Sequence, residues 1–388
     1  MNEPSYNKFL AKTLYGLEEV LAEELKNSGA KNITVKNRAV EFEGNKETLY
    51  LTNLSLRTAL RILVPVRSFI FKNTDEFYTK AKNIKWFNYL NPNHTFAVDA
   101  VVNSKIFKHT KYPALKLKDA IVDRIRDKTG KRPDVDTVNP KLKIHLHIQN
   151  NKCNIYLDSS GKSLHRRGYR IEGGRAPLNE VLAAGMILLT GWKGNTNFLD
   201  PMCGSGTLVA EAAMLAANIP PNLNRNDFGF MNWNDFDENM YNKIKTLLKE
   251  KIRKPEIKIG GSDISKKAIA IARKNISRAG LNVPVTLTVK DFTQISKNGE
   301  SGIIVTNPPY GERLKSTSLI ELYKSFGDVL KQNFTGYEAW ILSGDKTAIK
   351  HVGLRPAKKL TLYNGAIECK FHKFELYKGT KKKRLNNK

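Results

Sequence analysis

The sequence predicts an α/β protein in which a mostly parallel, doubly wound sheet with an antiparallel terminal hairpin follows a smaller α+β region. Three observations lead to this fold class. From residue 177 onward, apolar strand-like runs alternate with helical patterns, as in parallel sheets with crossover helices. The signal Asn364-Gly365 then separates two further strand-like runs, which is typical of a hairpin. Before residue 160, shorter strands and helices alternate.

The length of 388 residues predicts more than one domain, because a single hydrophobic core rarely serves so long a chain. No run of about twenty uncharged apolar residues occurs, and the first residues lack a secretory-signal pattern. Cys153, Cys203 and Cys369 lie far apart, so neither a disulfide framework nor a cysteine zinc site is expected. We therefore expect a cytoplasmic protein with reduced thiols.

The positive charge of the chain is regional. The 65 Lys and Arg against 37 Asp and Glu give a net charge of +28, which favours a polyanionic partner. Residues 1 to 79 contain 11 basic and 10 acidic residues, whereas residues 80 to 132 contain 13 and 4. The tail 381–388 is expected to be a disordered basic arm for phosphates or a solubility tail. No segment has the pattern of a membrane-surface helix, so nucleic acid is the expected partner.

The front half contains short strand and helix patterns in order. Residues 1 to about 70 form a small α+β unit, and residues 95–102 follow as a strand. A basic helix is expected at 114–128, and then two strands at 142–149 and 153–158. His145 and His147 lie on the polar face of the first of these strands, and they could share a metal. With no third ligand nearby, no metal is expected, and a polar or RNA-facing surface is preferred.

The second half contains five βα steps. Strands are predicted at 197–199, 257–262, 285–290, 302–306 and 338–343. The final runs, 359–363 and 367–377, are expected to pair antiparallel. A parallel sheet closed by such a hairpin distinguishes a methyltransferase from a plain dinucleotide-binding fold.

A small-residue turn follows the first of these strands at 200–207, and it has the character of a ligand-binding turn. Gly204 and Gly206 would allow close approach of a ligand to the backbone, and Asp200 could hold a cationic or hydroxyl-bearing group. The turn lacks the Lys-Ser/Thr of a phosphate loop and the third glycine of a dinucleotide fingerprint. S-adenosylmethionine suits it, because this cofactor carries an ammonium group and its nucleoside lacks phosphate.

Two more strands end in acids. Asp263 is placed to bind ribose hydroxyls, and Asp291 could accept from an adenine amine while Phe292 covers the ring. Each acid alone is also a common helix cap or turn residue. Because the strand ends of a doubly wound sheet form one crevice, the series from Asp200 to Asn307 favours a joint cofactor site.

The segment Asn307-Pro308-Pro309-Tyr310, directly after a strand, suits methylation of a planar amine. The Asn307 side-chain carbonyl and the Pro308 main-chain carbonyl could each accept one N–H, while Tyr310 stacks on the base. By itself the segment could also be a proline turn with a packed tyrosine.

Four ordered blocks support a family assignment: 164–170, 176–180, 200–207 and 307–313. With them the chain resembles the THUMP-domain guanine-N2 RNA methyltransferases, specifically the bacterial type acting on large-subunit (23S) ribosomal RNA. The resemblance implies a ferredoxin-like region at 1–65, a THUMP RNA-binding domain at 66–165 and a Rossmann-like class I methyltransferase domain at 166–380. Some members carry a second methyltransferase domain, and we expect this chain to be the form with one.

The resemblance also implies residue roles. Asn307, Pro308 and Tyr310 would be catalytic. S-adenosylmethionine would be bound by Pro177, Leu178, Asp200, Cys203, Gly204, Gly206, Thr207, Asp263, Asp291 and Asn307. The base would have to be flipped out of its pair to reach Tyr310.

RNA is expected to contact the basic region between residues 105 and 132 and the arginines near 170. The predicted residues are Lys105, Lys108, Lys111, Lys116, Lys118, Arg124, Arg166, Arg167 and Arg170. Arg167 and Arg170 could instead form ion pairs in a domain linker. Alternatives to the ribosomal substrate are guanine-N2 methylation of transfer RNA, adenine-N6 methylation of DNA and a non-catalytic RNA-binding ribosome assembly factor.

Overall fold

A computed structural model describes residues 7–170, 178–281, 283–309 and 316–378. Contacts among these residues group them into two compact units. The first comprises residues up to 13, 21–164 and 222–247, and the second comprises 14–20, 165–221 and the residues from 248 onward. The predicted basic tail at 381–388 lies outside the described residues.

The first unit contains a seven-stranded sheet in the order β2-β3-β1-β4-β7-β6-β5. Its first half has the βαββαβ order of a ferredoxin-like fold. The elements of this half are β1 (Asn7–Lys12), α1 (Glu18–Asn27), β2 (Lys31–Lys36), β3 (Ala39–Gly44), α2 (Lys46–Ser55) and β4 (Arg61–Ile70). Strand β4 pairs with β1 at one end and with β7 along most of its length, so one sheet continues through both halves.

The other half of this sheet carries the basic helix. Its elements are α3 (Thr74–Lys82), β5 (Phe96–Asn103), α4 (Lys111–Thr129), β6 (Leu142–Gln149) and β7 (Lys152–Asp158). Helix α4 begins three residues before the predicted start and ends at Thr129, where Gly130 forms the C-cap with a φ of +71° that favours glycine. On β6, alternate residues from Leu142 to Ile148 are buried, as the sequence predicted. They pack with α3 and α4 into one apolar core.

The second unit contains a sheet in the order β10-β9-β8-β11-β12-β14-β13. The strands are β8 (Asn197–Asp200), β9 (Ile259–Asp263), β10 (Val285–Val289), β11 (Gly302–Thr306), β12 (Tyr337–Ser343), β13 (Lys358–Asn364) and β14 (Ile367–Glu375). The first five are parallel, and β14 pairs antiparallel with both β12 and β13. The predicted fold class is confirmed.

The helices that accompany these strands are α5 (Glu180–Leu189), α6 (Thr207–Ala216), α8 (Lys266–Arg278) and α9 (Ser316–Asn333). Helix α7 (Glu238–Glu250) belongs to the first unit as far as residue 247. Between β10 and β11 the described residues form only a 3-10 turn, Phe292–Gln294. The polar run 296–301 has no apolar stripe, and Gly299 has a φ of +83°. The helix expected at this crossover is therefore replaced by a short connection. No described helix combines the length and apolar character needed to cross a bilayer.

Candidate active site

The carboxyl ends of β8, β9, β10 and β11 surround a cavity of about 450 Å³. Strands β9 and β11 lie on opposite sides of β8, so the strand order reverses at this point, where doubly wound folds bind ligands. The cavity is lined by Leu178, Asp200, Pro201, Met202, Cys203, Gly204, Ser205, Thr207, Leu208, Asp263, Ile264, Ala268, Ile271, Asp291, Phe292, Asn307, Pro309 and Leu322. The structure therefore brings together the polar residues that the sequence placed at successive strand ends.

Asp200 lies at the buried end of β8 and is only 2% exposed. Its Oδ1 accepts hydrogen bonds from the Thr306 hydroxyl at 2.7 Å and from the Met202 N–H at 3.2 Å. Burial raises the pKa of Asp200 to about 7, and the neighbouring Asp263 adds to this rise, whereas the two hydrogen bonds oppose it. The carboxyl group is therefore poised to ionise near neutral pH when a cationic group faces it.

The two glycines of the turn have different surroundings. Gly204 lines the cavity with a φ of +52°, and an added Cβ there would meet no atom within 4 Å. Gly206 is not among the lining residues, and an added Cβ would lie 2.9 Å from the Cβ of Ala272 in α8. Gly206 therefore lies behind the cavity wall, and its predicted contact with the cofactor stays a prediction. Its missing side chain instead allows α6 to begin close to α8.

Asp263 connects the turn to the next strand. Its Oδ2 accepts from the Gly204 N–H at 2.9 Å, and its Oδ1 accepts from the Ser265 N–H at 2.9 Å. Asp291 similarly accepts from the N–H and the hydroxyl of Thr293 at 2.8 and 2.7 Å. Asp291 thus caps the 3-10 turn and Asp263 stabilises the turn before α8, as the sequence left open, and both acids also line the cavity. A carboxylate oxygen has two lone pairs, so these bonds are compatible with ligand binding.

Asn307 follows β11 at the rim of the same cavity. Its Oδ1 is buried and has no hydrogen-bond partner among the described residues. Leaving a buried carbonyl oxygen unpaired costs about 1–3 kcal/mol, so such an atom in a cavity indicates a place for a ligand donor. Pro308 is buried and Pro309 lines the cavity, whereas Tyr310 and Pro177 lie outside the described residues.

Leu178, Cys203 and Thr207 all line the cavity, and Arg170 holds two of them in place. Its guanidinium donates to the Leu178 carbonyl at 2.7 Å and to the Thr207 hydroxyl at 3.0 Å, and it lies 3.4 Å from Glu180. Burial raises the pKa of the Cys203 thiol, so this cysteine remains protonated. Arg170 therefore supports the wall of the cavity.

Apolar lining residues were mostly missed by the sequence analysis. Ile264 lies directly after Asp263, and it is 72% exposed although it is a large apolar residue. Its position directly after Asp263, the acid that the sequence predicts to bind ribose, was the available signal, because an apolar side chain there can cover a planar ring. Phe292 also lines the cavity, as its expected role beside adenine requires.

The residues predicted to bind RNA fall into two groups. Lys105, Lys108, Lys111 and Arg166 are exposed. Lys116 is only 17% exposed at its side chain and pairs with Asp75 at 3.0 Å. Lys118 pairs with Asp119 at 2.7 Å, and Arg124 is half-buried.

Arg167 is also buried rather than presented on the surface. Its side chain is 1% exposed and lies 3.6 Å from the carboxylate of Glu211, which is fully buried. The Tyr169 hydroxyl lies 3.1 Å from the same carboxylate. Arg167 and Arg170 thus have the ion pairs that the sequence left open as an alternative to RNA contacts.

Three protein families match consecutive parts of the chain. The family described as "RMKL-like, methyltransferase domain" matches residues 167–373. The THUMP domain matches residues 71–158, and the RlmL ferredoxin-like domain matches residues 8–63.

Individual proteins match over nearly the whole chain. The "Ribosomal RNA large subunit methyltransferase K/L" of Syntrophotalea carbinolica is 38% identical over 95% of this chain, which covers 53% of that relative. The chain thus spans about half the length of this and similar curated relatives. "Putative RNA methyltransferase slr0064" of Synechocystis sp. is 35% identical, with 95% of this chain and 97% of that protein covered.

Among solved structures, "SMU.472, a putative methyltransferase complexed with SAH" has a TM-score of 0.87 at 30% identity. The match covers 97% of this chain and 100% of that one.

Proposed function

We propose that this chain, which belongs to the RMKL-like methyltransferase family, transfers a methyl group from S-adenosylmethionine to the exocyclic N2 amine of a guanine in large-subunit ribosomal RNA. The observation that carries this proposal is the buried, unpaired Oδ1 of Asn307 in a cavity that also contains Asp200, Asp263 and Asp291. In this proposal, Asn307 would accept from the target amine, and the three carboxylates of the same cavity would accept from the nucleoside and the ammonium group of the cofactor.

The cavity fits S-adenosylmethionine through its donor and acceptor set. Asp200 would face the ammonium group, Asp263 the ribose hydroxyls and Asp291 the adenine amine. Ile264 and Phe292 would cover the two faces of the adenine ring. A related solved structure is described as complexed with SAH, which is the product left when this cofactor loses its methyl group. The bound cofactor would supply an electrophilic methyl group on its sulfonium.

The amine acceptor site would use Asn307 and Pro308. The lone pair of a guanine N2 amine is delocalised into the ring, so the amine is a weak nucleophile. Hydrogen bonds from its two N–H groups to the Asn307 Oδ1 and the Pro308 carbonyl would hold it for in-line attack and stabilise the positive charge that develops. The surplus proton would leave to water after transfer, so no base is required before attack. Tyr310 would stack on the base.

RNA as the substrate rests on the THUMP domain match and on the regional charge of residues 80–132. The ribosomal choice comes from relatives named as large-subunit ribosomal RNA methyltransferases. Because a paired guanine N2 lies in the shallow minor groove, the target base must leave its pair to reach Asn307.

The experiment that tests this function uses S-adenosylmethionine labelled in its methyl group. The protein is incubated with separate pools of ribosomal RNA, transfer RNA and DNA, and with large-subunit particles, and the methylated nucleoside is identified by mass spectrometry. N2-methylguanosine in the large ribosomal RNA is expected. The same nucleoside found only in transfer RNA would show that the substrate is transfer RNA rather than ribosomal RNA. No label in any pool would contradict the proposal.

Cofactor affinity is predicted to depend on pH through Asp200. Burial raises the pKa of this carboxyl to about 7, and only its ionised form carries the negative charge that attracts an ammonium group. Affinity for S-adenosylhomocysteine should therefore fall by about tenfold per pH unit well below that pKa and level off above it. Calorimetric Kd values between about pH 5.5 and 8 would check this profile.

Thr306→Val provides the companion variant, because it removes the hydroxyl that lowers the pKa of Asp200 while keeping the shape of the side chain. The midpoint of its pH profile should move to higher pH. A wild-type profile that is flat across this range would contradict the assignment of Asp200 to the ammonium group.

A further inference from the structure

The surface where helix α4 begins combines exposed cations with exposed apolar groups. We name it the α4 entry surface, and it consists of Lys105, Lys108, His109, Lys111, Tyr112 and Leu115. Tyr112 is 49% exposed and Leu115 is 53% exposed. The four basic residues are also exposed. None of these residues lines the cavity described above.

The ring of Tyr112 is held in place although half of it is open to solvent. Its centroid lies 5.8 Å from that of Phe107, which is only 3% exposed. The Nζ of Lys116 lies 5.9 Å from the Tyr112 centroid, and Asp75 fixes that ammonium group at 3.0 Å. A supported aromatic ring of this kind loses little side-chain freedom when a second planar group stacks on it.

The charge of the segment around Tyr112 is mainly positive. Residues 103–118 contain five lysines and no acid. Lys116 and Lys118 are paired with Asp75 and Asp119. The other three, Lys105, Lys108 and Lys111, have no ion pair within the part of the chain that the structure describes. Their charge is therefore available to an anionic partner.

An unpaired segment of RNA suits this combination better than a duplex or a protein. A duplex offers phosphates but keeps its base faces stacked, so an exposed ring beside the lysines would have no use. Single strands present phosphates and open base faces together, and aromatic rings beside cations are the usual platform for them. A protein partner would need a strongly acidic face, whereas the chain as a whole already favours a nucleic acid.

We propose that the α4 entry surface binds a single-stranded segment of RNA, with Tyr112 stacked on one base and Lys105, Lys108 and Lys111 contacting the adjacent phosphates. The inference rests on the proposed function in taking RNA as the substrate class. It adds a contact to an unpaired segment through residues that take no part in methyl transfer.

The test compares two oligonucleotides of equal length, an eight-residue oligoadenylate RNA and the same backbone without bases. Binding to the full-length protein is measured by fluorescence anisotropy at fixed salt. Tyr112→Ala should weaken binding of the oligoadenylate by about 5- to 150-fold, the range of base–aromatic stacking. Tyr112→Phe should bind like the wild type, and all three proteins should bind the abasic backbone equally.

Tyr377→Ala is the matched control, because Tyr377 has a similar exposure of 46% and lies in the other unit. The thermal unfolding temperature of each variant shows whether the protein is still folded, so that loss of the Tyr112 ring is distinguished from loss of the fold. The proposal is overturned when Tyr112→Ala binds oligoadenylate like the wild type, or when it loses the same affinity for the abasic backbone.

The lysines are tested by salt dependence. The triple variant Lys105→Ala, Lys108→Ala and Lys111→Ala should make the salt dependence of binding weaker. The magnitude of the negative slope of log K against log salt should fall by about 2, since each phosphate contact to a single strand contributes about 0.7. A control triple at the exposed Lys249, Lys251 and Lys254 should leave the slope unchanged. Equal slopes in both triples would contradict the assignment of these three lysines.

Failure of this inference and failure of the proposed function are distinguishable. Oligoadenylate binding requires neither a cofactor nor a guanine, so it can depend on Tyr112 in a protein that methylates nothing. Conversely, N2-methylguanosine formation with no effect of Tyr112→Ala on oligoadenylate binding would support the proposed function and overturn the inference.

Discussion

Asn307→Ala is expected to lower kcat for methyl transfer by about 10²- to 10³-fold, the usual effect of removing one preorganised electrostatic partner of the transition state. The Kd for RNA should change by less than about threefold, because affinity for a large RNA depends mainly on phosphate contacts. The loss of rate is expected because the Oδ1 of Asn307 is buried without a partner among the described residues and is therefore available to the amine. Single-turnover rates with saturating enzyme would measure the effect on chemistry directly.

A matched control for this variant is Asn93→Ala, which removes an exposed asparagine from the first unit. It should leave both the single-turnover rate and the Kd for RNA unchanged. A normal single-turnover rate in Asn307→Ala with weakened RNA binding would show that Asn307 contacts the substrate without acting on the amine.

The second large effect is expected on stability. Arg167→Met should lower the free energy of unfolding by about 3–5 kcal/mol, because it leaves the buried charge of Glu211 without its cationic partner. The two side chains are 1% and 0% exposed, so water cannot replace the lost interaction. Urea unfolding followed by circular dichroism would measure the change.

A second substitution in the same protein should restore much of this loss. Arg167→Met combined with Glu211→Gln removes both charges and keeps an acceptor for the Tyr169 hydroxyl, which lies 3.1 Å from Glu211 Oε1. Arg166→Met is the control, since Arg166 is exposed and its loss should change stability little. An Arg167→Met protein with normal stability and weakened RNA binding would show that Arg167 contacts RNA and does not stabilise the fold.

The strands of the second sheet could be predicted because the sequence patterns that indicate them are local. The parallel strands are short runs with a polar residue at or just after the carboxyl end, and the Asn364-Gly365 turn identifies the hairpin. Since parallel strands end at one edge of a sheet, Asp200, Asp263 and Asn307 could be placed at one site before any distance was known. The same argument fails for Leu322, because nothing in the sequence separates this apolar residue of α9 from the residues of the core.

The sequence alone therefore determined the order of the elements, the parallel sheet with its hairpin and the polar residues of the cavity. Tertiary structure decided which cations face solvent and which glycine faces the cavity. Lys116 and Arg167 look like Lys108 and Arg166 in the sequence, yet they are paired with Asp75 and Glu211. Gly206 differs from Gly204 through its contact with Ala272. These pairings join residues distant along the chain, and local patterns encode no such proximity, because packing alone selects which partners meet.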